Sequence, residues 1–117
     1  MQAVSPDRAL EQLQRVLASA AFQGAARSSA LLKFLVEEAA GNRPERLKEY
    51  TIGAEALGKG EAFDPRIDPI VRAEASRLRS RLERYYASEG QRDPVLIALP
   101  KGSYVPQRGK APIPDLG

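Results

Sequence analysis

The sequence predicts a mainly α fold closed by one small β-hairpin, an α+β arrangement. Three observations predict it. Apolar residues recur at helical spacing in several separate stretches. The most extended, Asp68 to Gly90, carries Val71, Ala75, Leu78, Leu82 and Tyr85 at steps of four, three, four and three, which is one stripe on an ideal helix. Near the end, the branched apolar run Val95 to Leu99 reads as a strand; a Pro100-Lys101-Gly102-Ser103 turn follows, and Tyr104-Val105 opens a returning strand.

Each element has a local reason. Ser5-Pro6-Asp7 supplies a capping serine, a first-position proline and a first-turn acid, and Leu10, Leu13, Val16 and Leu17 give the first helix its apolar face. Phe22 to Gly24 marks a turn with one buried anchor. Ser28 or Ser29 caps a second helix running to about Ala40, buried through Leu31, Leu32, Leu35, Val36 and Ala39 and stopped by Gly41-Asn42 before Pro44. Glu37-Glu38 reads as surface charge, because adjacent helical residues do not face each other. Arg46 to Lys48 is short and extended. Glu49 to Leu57 forms a short third helix with Ile52 and Leu57 inward, ended by Gly58-Lys59-Gly60; these glycines lack the spacing and the preceding strand of a phosphate loop. Phe63 to Pro69 is a rigid connector with two Asp-Pro steps, and Phe63 and Ile67 are expected to tuck into the core. Asp68 caps the fourth helix, Pro69 fits its first turn, and Gly90 ends it in a left-handed conformation. The expected organisation is an N-terminal helix and connector over 1–29, a folded unit over 30–106, and a Pro- and Gly-rich tail over 107–117.

Composition narrows the chemistry. The chain has 117 residues, no cysteine and no histidine. Disulfides and thiolate metal sites are excluded, and the usual general base and commonest metal ligand are missing. No enzyme activity and no cofactor are expected. No apolar run is long enough to span a membrane, and MQAVSPDRALEQ lacks the apolar core of a signal peptide, so a cytoplasmic protein is the expectation. The net charge of +3 is uneven: eight Lys/Arg against nine Asp/Glu up to Pro65, ten against six from Arg66 onward. A basic second half suits a polyanionic partner.

The order short helix, tight connection, long basic helix, basic hairpin is that of a helix-turn-helix followed by a wing. A major groove about 12 Å wide admits one helix, and a hairpin tip reaches the neighbouring backbone. On a helical wheel Ala73, Ser80 and Arg84 lie opposite the buried stripe, flanked by Ser76 and Arg77. Small Ala73 and Ser76 permit close approach, and Arg77 is the first candidate for a base contact. Arg72 and Arg79 sit nearer the core margin, as phosphate clamps or partners of Glu83 or Glu49. Arg81 falls close to Glu74 and reads as structural. Tyr85, Tyr86 and Tyr104 read as packing residues. Lys101 at the hairpin tip, Ser103 beside it and Arg66 ahead of the helix complete the candidate DNA-binding set.

The segments LLKFLVEEAAG, LKEYTIGAEALG, VRAEASRLRSRLE and VLIALPKGSYV resemble the winged helix of OmpR/PhoB-type effector domains and their ToxR/CadC-like relatives. The resemblance covers about Ala30 to Pro106. It rests most on Arg77-Leu78-Arg79 with Leu82, and on the strand entering Lys101-Gly102-Ser103-Tyr104. The KEYTIG and DPIVR segments also resemble a bacterial winged-helix module found ahead of repeat or cyclase domains. The resemblance implies a recognition helix over 68–90, a wing over 95–105 and a transcriptional regulator of double-stranded DNA. It departs where that family opens with a small sheet: a helix stands there instead. That helix is the expected interface of a homodimer. The alternative is a protein-interaction or assembly module on the same fold without DNA.

Overall fold

The computed structural model describes residues 3–110. Helix α1 (Pro6–Leu17) starts as its cap predicts, with the Ser5 hydroxyl accepting from the Arg8 amide. Its inward residues Ala9, Leu13 and Val16 are fully buried. A 3₁₀ turn (Ala20–Phe22) drops Phe22 into the core, and Gly24 turns the chain at φ +71°.

Helix α2 (Ala26–Ala40) begins two residues before the expected serine caps, with Ala25 at its N-cap and Ser28 buried inside it. Its C-terminus closes as a Schellman motif. The Arg43 amide bonds the Glu38 carbonyl and the Asn42 amide bonds that of Ala39, with Asn42 rather than Gly41 in the left-handed region. Glu37 and Glu38 are ion-paired surface acids, bound by Lys33 and by Arg43 and Arg46. The expected extended stretch at Arg46 is instead the end of a 3₁₀ turn (Pro44–Arg46), set by Pro44; only Lys48 is extended.

Helix α3 (Glu49–Thr51) runs directly into a π-helical turn (Ile52–Ala56), and the expected single helix is therefore split in type. The Leu57 amide reaches back five residues to Ile52. Gly53 has a steric reason: a Cβ there would collide with the Phe63 ring. Ile52 is fully buried, and Leu57 is half-buried and packs against the core.

Helix α4 (Ile70–Ala87) buries the five stripe residues Val71, Ala75, Leu78, Leu82 and Tyr85, as their spacing predicts. Its ends differ from expectation. Pro69 occupies the N-cap, and Asp68 stands one residue earlier with its carboxylate accepting from the Ile70 amide at 3.1 Å. Gly90 is absent from the positive-φ positions; it is needed because the Tyr85 ring lies where a Cβ would stand. Phe63 is buried as expected, but Ile67 is 81% exposed at the apex of the connector, since the Asp64–Asp68 turn directs it outward.

Strand β1 (Val95–Ala98) pairs antiparallel with β2 (Gln107–Lys110), Val95 opposite Lys110 and Ala98 opposite Gln107. The return strand thus starts three residues later than Tyr104, and its four residues are those expected to begin the tail. Arg108 and Lys110 hide its strand character, because cross-strand pairing decides it rather than apolar alternation. The rest of the expected tail, Ala111 onward, lies outside the described residues. The chain start joins the far edge of β2 through an Ala3–Gly109 bridge and a Val4 amide bond to the Arg108 carbonyl. Val95, Ile97 and Leu99 join the helical core, with α2 packed against α1 and α4, and β1 against α1 and α4.

The hairpin is fastened to α4 by polar contacts. The Tyr86 hydroxyl accepts from the Ile97 amide at 2.9 Å and donates to the Val95 carbonyl at 3.0 Å, occupying the open edge of β1 as a neighbouring strand would. Gln12, fully buried on α1, donates to Tyr86 at 3.2 Å and to Asp93 at 2.7 Å, and Asp93 also takes the Tyr85 hydroxyl. Burial first, and then the Asp93 carboxylate, push the Tyr85 hydroxyl pKa well above its ordinary value. Both tyrosines are packing residues, as the sequence suggests. Among the described residues no helix is long and apolar enough to cross a membrane.

Candidate nucleic-acid interface

The stripe that buries one side of α4 forces the opposite side outward. Ala73, Ser76, Arg77, Ser80 and Arg84 are all exposed, as the wheel predicts. This row contains no acid. The exposed Glu83 turns instead toward the hairpin, where it lines a groove with Arg79 and Lys101.

The arginines divide by what holds them. Arg79 donates from Nε to the Leu99 carbonyl at 3.2 Å and from a terminal nitrogen to that of Pro100 at 3.3 Å. It fixes the hairpin loop to α4 rather than pairing with Glu49 or Glu83. Arg72 takes the expected Glu49, at 3.2 Å, and Glu49 also accepts from the Tyr104 hydroxyl at 3.4 Å. Burial raises the Tyr104 pKa, and the nearby Glu49 carboxylate adds to the shift. Arg72, Arg79, Gly102 and Tyr104 therefore line one cleft, and the loop is held beside the outward row.

Arg77 is more constrained than expected. Its guanidinium donates to Glu74 at 2.6 Å, and Glu74 is only 4% exposed. The partner expected for Glu74, Arg81, turns away: it donates to the Ala21 carbonyl at 2.6 Å and lies over the Phe22 ring. Arg81 is structural, as expected, through a contact 60 residues away in sequence. Arg66 is exposed, but both its Nε and a terminal nitrogen bind Asp64 of its own turn at 3.1 and 3.0 Å. That pairing holds the Asp64 carboxyl below its usual range.

Arg84 and Lys101 are exposed and take no part in the ion pairs among the described residues. Lys101 stands at the second position of a turn closed by the Ser103 amide on the Pro100 carbonyl, with Gly102 at φ +80° in the third. Ser103 uses its hydroxyl oxygen to accept from the Val105 amide at 3.0 Å, which shapes the loop and leaves its proton to donate. The structure thus gathers Ser76, Arg77, Ser80 and Arg84 on one face and sets Arg72, Arg79, Lys101 and Ser103 along its hairpin side. Arg66 stands apart in the connector.

Sequence reasoning passed over Arg27. It occupies the first turn of α2, and its guanidinium lies 3.9 Å from the same Glu74 oxygen that binds Arg77. Placing the start of α2 at Ser28 or Ser29 left Arg27 in a connector, and only the packing of α2 on α4 reveals its neighbour. No family model matches the chain, and no curated protein or solved structure shows significant similarity to it.

Proposed function

We propose that the chain is a double-stranded DNA-binding regulator of transcription, a winged helix that lays α4 in the major groove and its hairpin loop on the adjoining backbone. One observation carries the reading. The outward row of α4 is small, cationic and free of acids, and the loop bearing Lys101 is pinned along one side of it by Arg79 and Tyr104. Ala73, Ser76 and Ser80 let the helix backbone approach base edges closely. Arg77 enters with its guanidinium oriented by Glu74, which favours reading a guanine edge through a fixed fork. Arg84 and Lys101 carry uncommitted charge to phosphates, which position a protein without specifying sequence. A homodimer meeting through α1, whose residues Arg8, Glu11, Gln14 and Arg15 are exposed, would suit paired half-sites.

The combined R84A/K101A variant tests this. Both residues are exposed, so the fold should change by less than about 0.5 kcal/mol. Affinity for any duplex should fall, and the slope of log K against log salt should flatten by about 1.8, two phosphate contacts at about 0.9 each. An unchanged slope in a variant whose parent binds DNA contradicts the assignment of these two cations.

A second reading has its own observation. Leu82, Tyr86, Leu96 and Ala98 line an apolar groove of about 400 Å³ between α4 and β1, and a protein partner is what such a groove would suit. A chain that fails to bind duplex DNA while keeping its fold favours this alternative.

A further inference from the structure

We propose that Arg27, drawn beside Arg77 by the buried carboxylate of Glu74, is a second phosphate contact on the side of α4 away from the hairpin. The inference rests on the DNA reading above and adds to it a residue from α2. Glu74 is almost wholly buried, and a buried carboxylate is costly unless a cation compensates it. One arginine suffices for that, and Glu74 has two. Arg77 makes the short contact at 2.6 Å. Arg27 approaches the same oxygen at 3.9 Å, beyond hydrogen-bond distance, so its charge is attracted while its N–H donors stay uncommitted to Glu74. The cluster carries a net positive charge at the surface, since the two arginine side chains are 67% and 62% exposed.

The Arg27 side chain is exposed, and a guanidinium fork matches the oxygens of a phosphate. The position on α4 identifies the ligand. Glu74, Arg77 and Arg81 lie on the flank facing the Phe22 turn and the start of α2, while Arg72, Arg79 and Glu83 lie on the flank facing the hairpin. A helix lying in a groove has a backbone wall on each side. Lys101 faces one wall, and Arg27 faces the other. Glu74 is a positioning residue: it touches no phosphate and holds both arginines at the rim.

The test compares wild type, R27A and R8A over residues 1–117, binding two unrelated short duplexes between about 50 and 200 mM salt. Arg8 is an exposed arginine on α1, so its loss removes the same net charge from a different surface. R27A should flatten the salt slope by about 0.9 on both duplexes, so that wild type loses about 3.5-fold more affinity than R27A across that range. R8A should keep the wild-type slope. If wild type binds and R27A keeps its slope, the Arg27 assignment is wrong and the DNA reading stands. Equal flattening in R27A and R8A also overturns it, by making the effect one of net charge. Failure of wild type to bind removes both proposals together.

Discussion

Tyr86→Phe isolates the polar fastening that seats the hairpin against α4. The substitution keeps the ring and removes one oxygen, which in the wild type serves three partners: the Ile97 amide, the Val95 carbonyl and the Gln12 side chain. Gln12 loses least, since it keeps Asp93 at 2.7 Å. The two backbone groups lose the partner that closes the edge of β1, and Val95 and Ile97 are buried residues. An unsatisfied buried group costs about 1–3 kcal/mol. Tyr86 is itself only half-buried, so water recovers part of this, and a loss of about 2–3 kcal/mol is expected. Against a typical domain stability of about 5–15 kcal/mol that is a large effect from one atom. Urea unfolding should show the midpoint falling with the slope unchanged. Amide exchange at Ile97 should accelerate more than at α2 core residues such as Leu35. A loss under about 0.5 kcal/mol, with Ile97 exchange unchanged, would refute the claim that Tyr86 acts as the missing neighbour of β1.

Three further outcomes follow from the same contacts. Arg77→Ala should lower stability as well as DNA affinity, because Glu74 loses its nearest cation. Adding Glu74→Gln should recover stability but not affinity, and a double-mutant cycle without coupling in stability would contradict the pairing. Gly53→Ala should destabilise by about 1–3 kcal/mol through its collision with the Phe63 ring, and a smaller side chain at Phe63 should relieve part of that; an innocuous Gly53→Ala would deny the close approach. The raised Tyr85 pKa gives an alkaline limit. The unfolded tyrosine ionises near pH 10.0 and the folded one above it, so the stability contribution is full below pH 10.0 and is lost as pH rises further. Tyr85→Phe should make the decline in melting temperature above that pH shallower, though not abolish it, since Tyr86 and Tyr104 are shifted upward too.

Much of the helical frame was legible because its cause is local. A period of 3.6 residues in α1, α2 and α4 picks out the buried side chains without knowledge of what they meet, and the outward row of α4 follows as its complement. Errors gather where apolar periodicity carries no signal, at turns, helix ends and a strand made by its partners. Gly90 resembles a helix stop, yet the Tyr85 ring is what requires it. Ile67 resembles a core anchor, yet the turn that carries it points it to solvent. Gln107 to Lys110 looks like a polar tail, and becomes a strand only because β1 and the chain start supply partners on both sides. The same division holds for the candidate site. Exposure of Ser76, Arg77, Ser80 and Arg84 was readable from the wheel. The partners of Arg77, Arg79 and Arg81 were not, because a carboxylate, two loop carbonyls and the Ala21 carbonyl are brought to them by tertiary packing. Arg27 was invisible for the same reason.

The central claim is that the face of α4 and the adjoining hairpin bind double-stranded DNA. Fluorescence polarisation of a labelled random duplex against the full chain, at about 0.05 and about 0.15 M salt, tests it most directly. The account predicts a Kd within or tighter than about 10⁻⁴–10⁻⁶ M at the higher salt, and a steep gain in affinity at the lower. Binding weaker than that range at the higher salt, or affinity indifferent to salt, would contradict it.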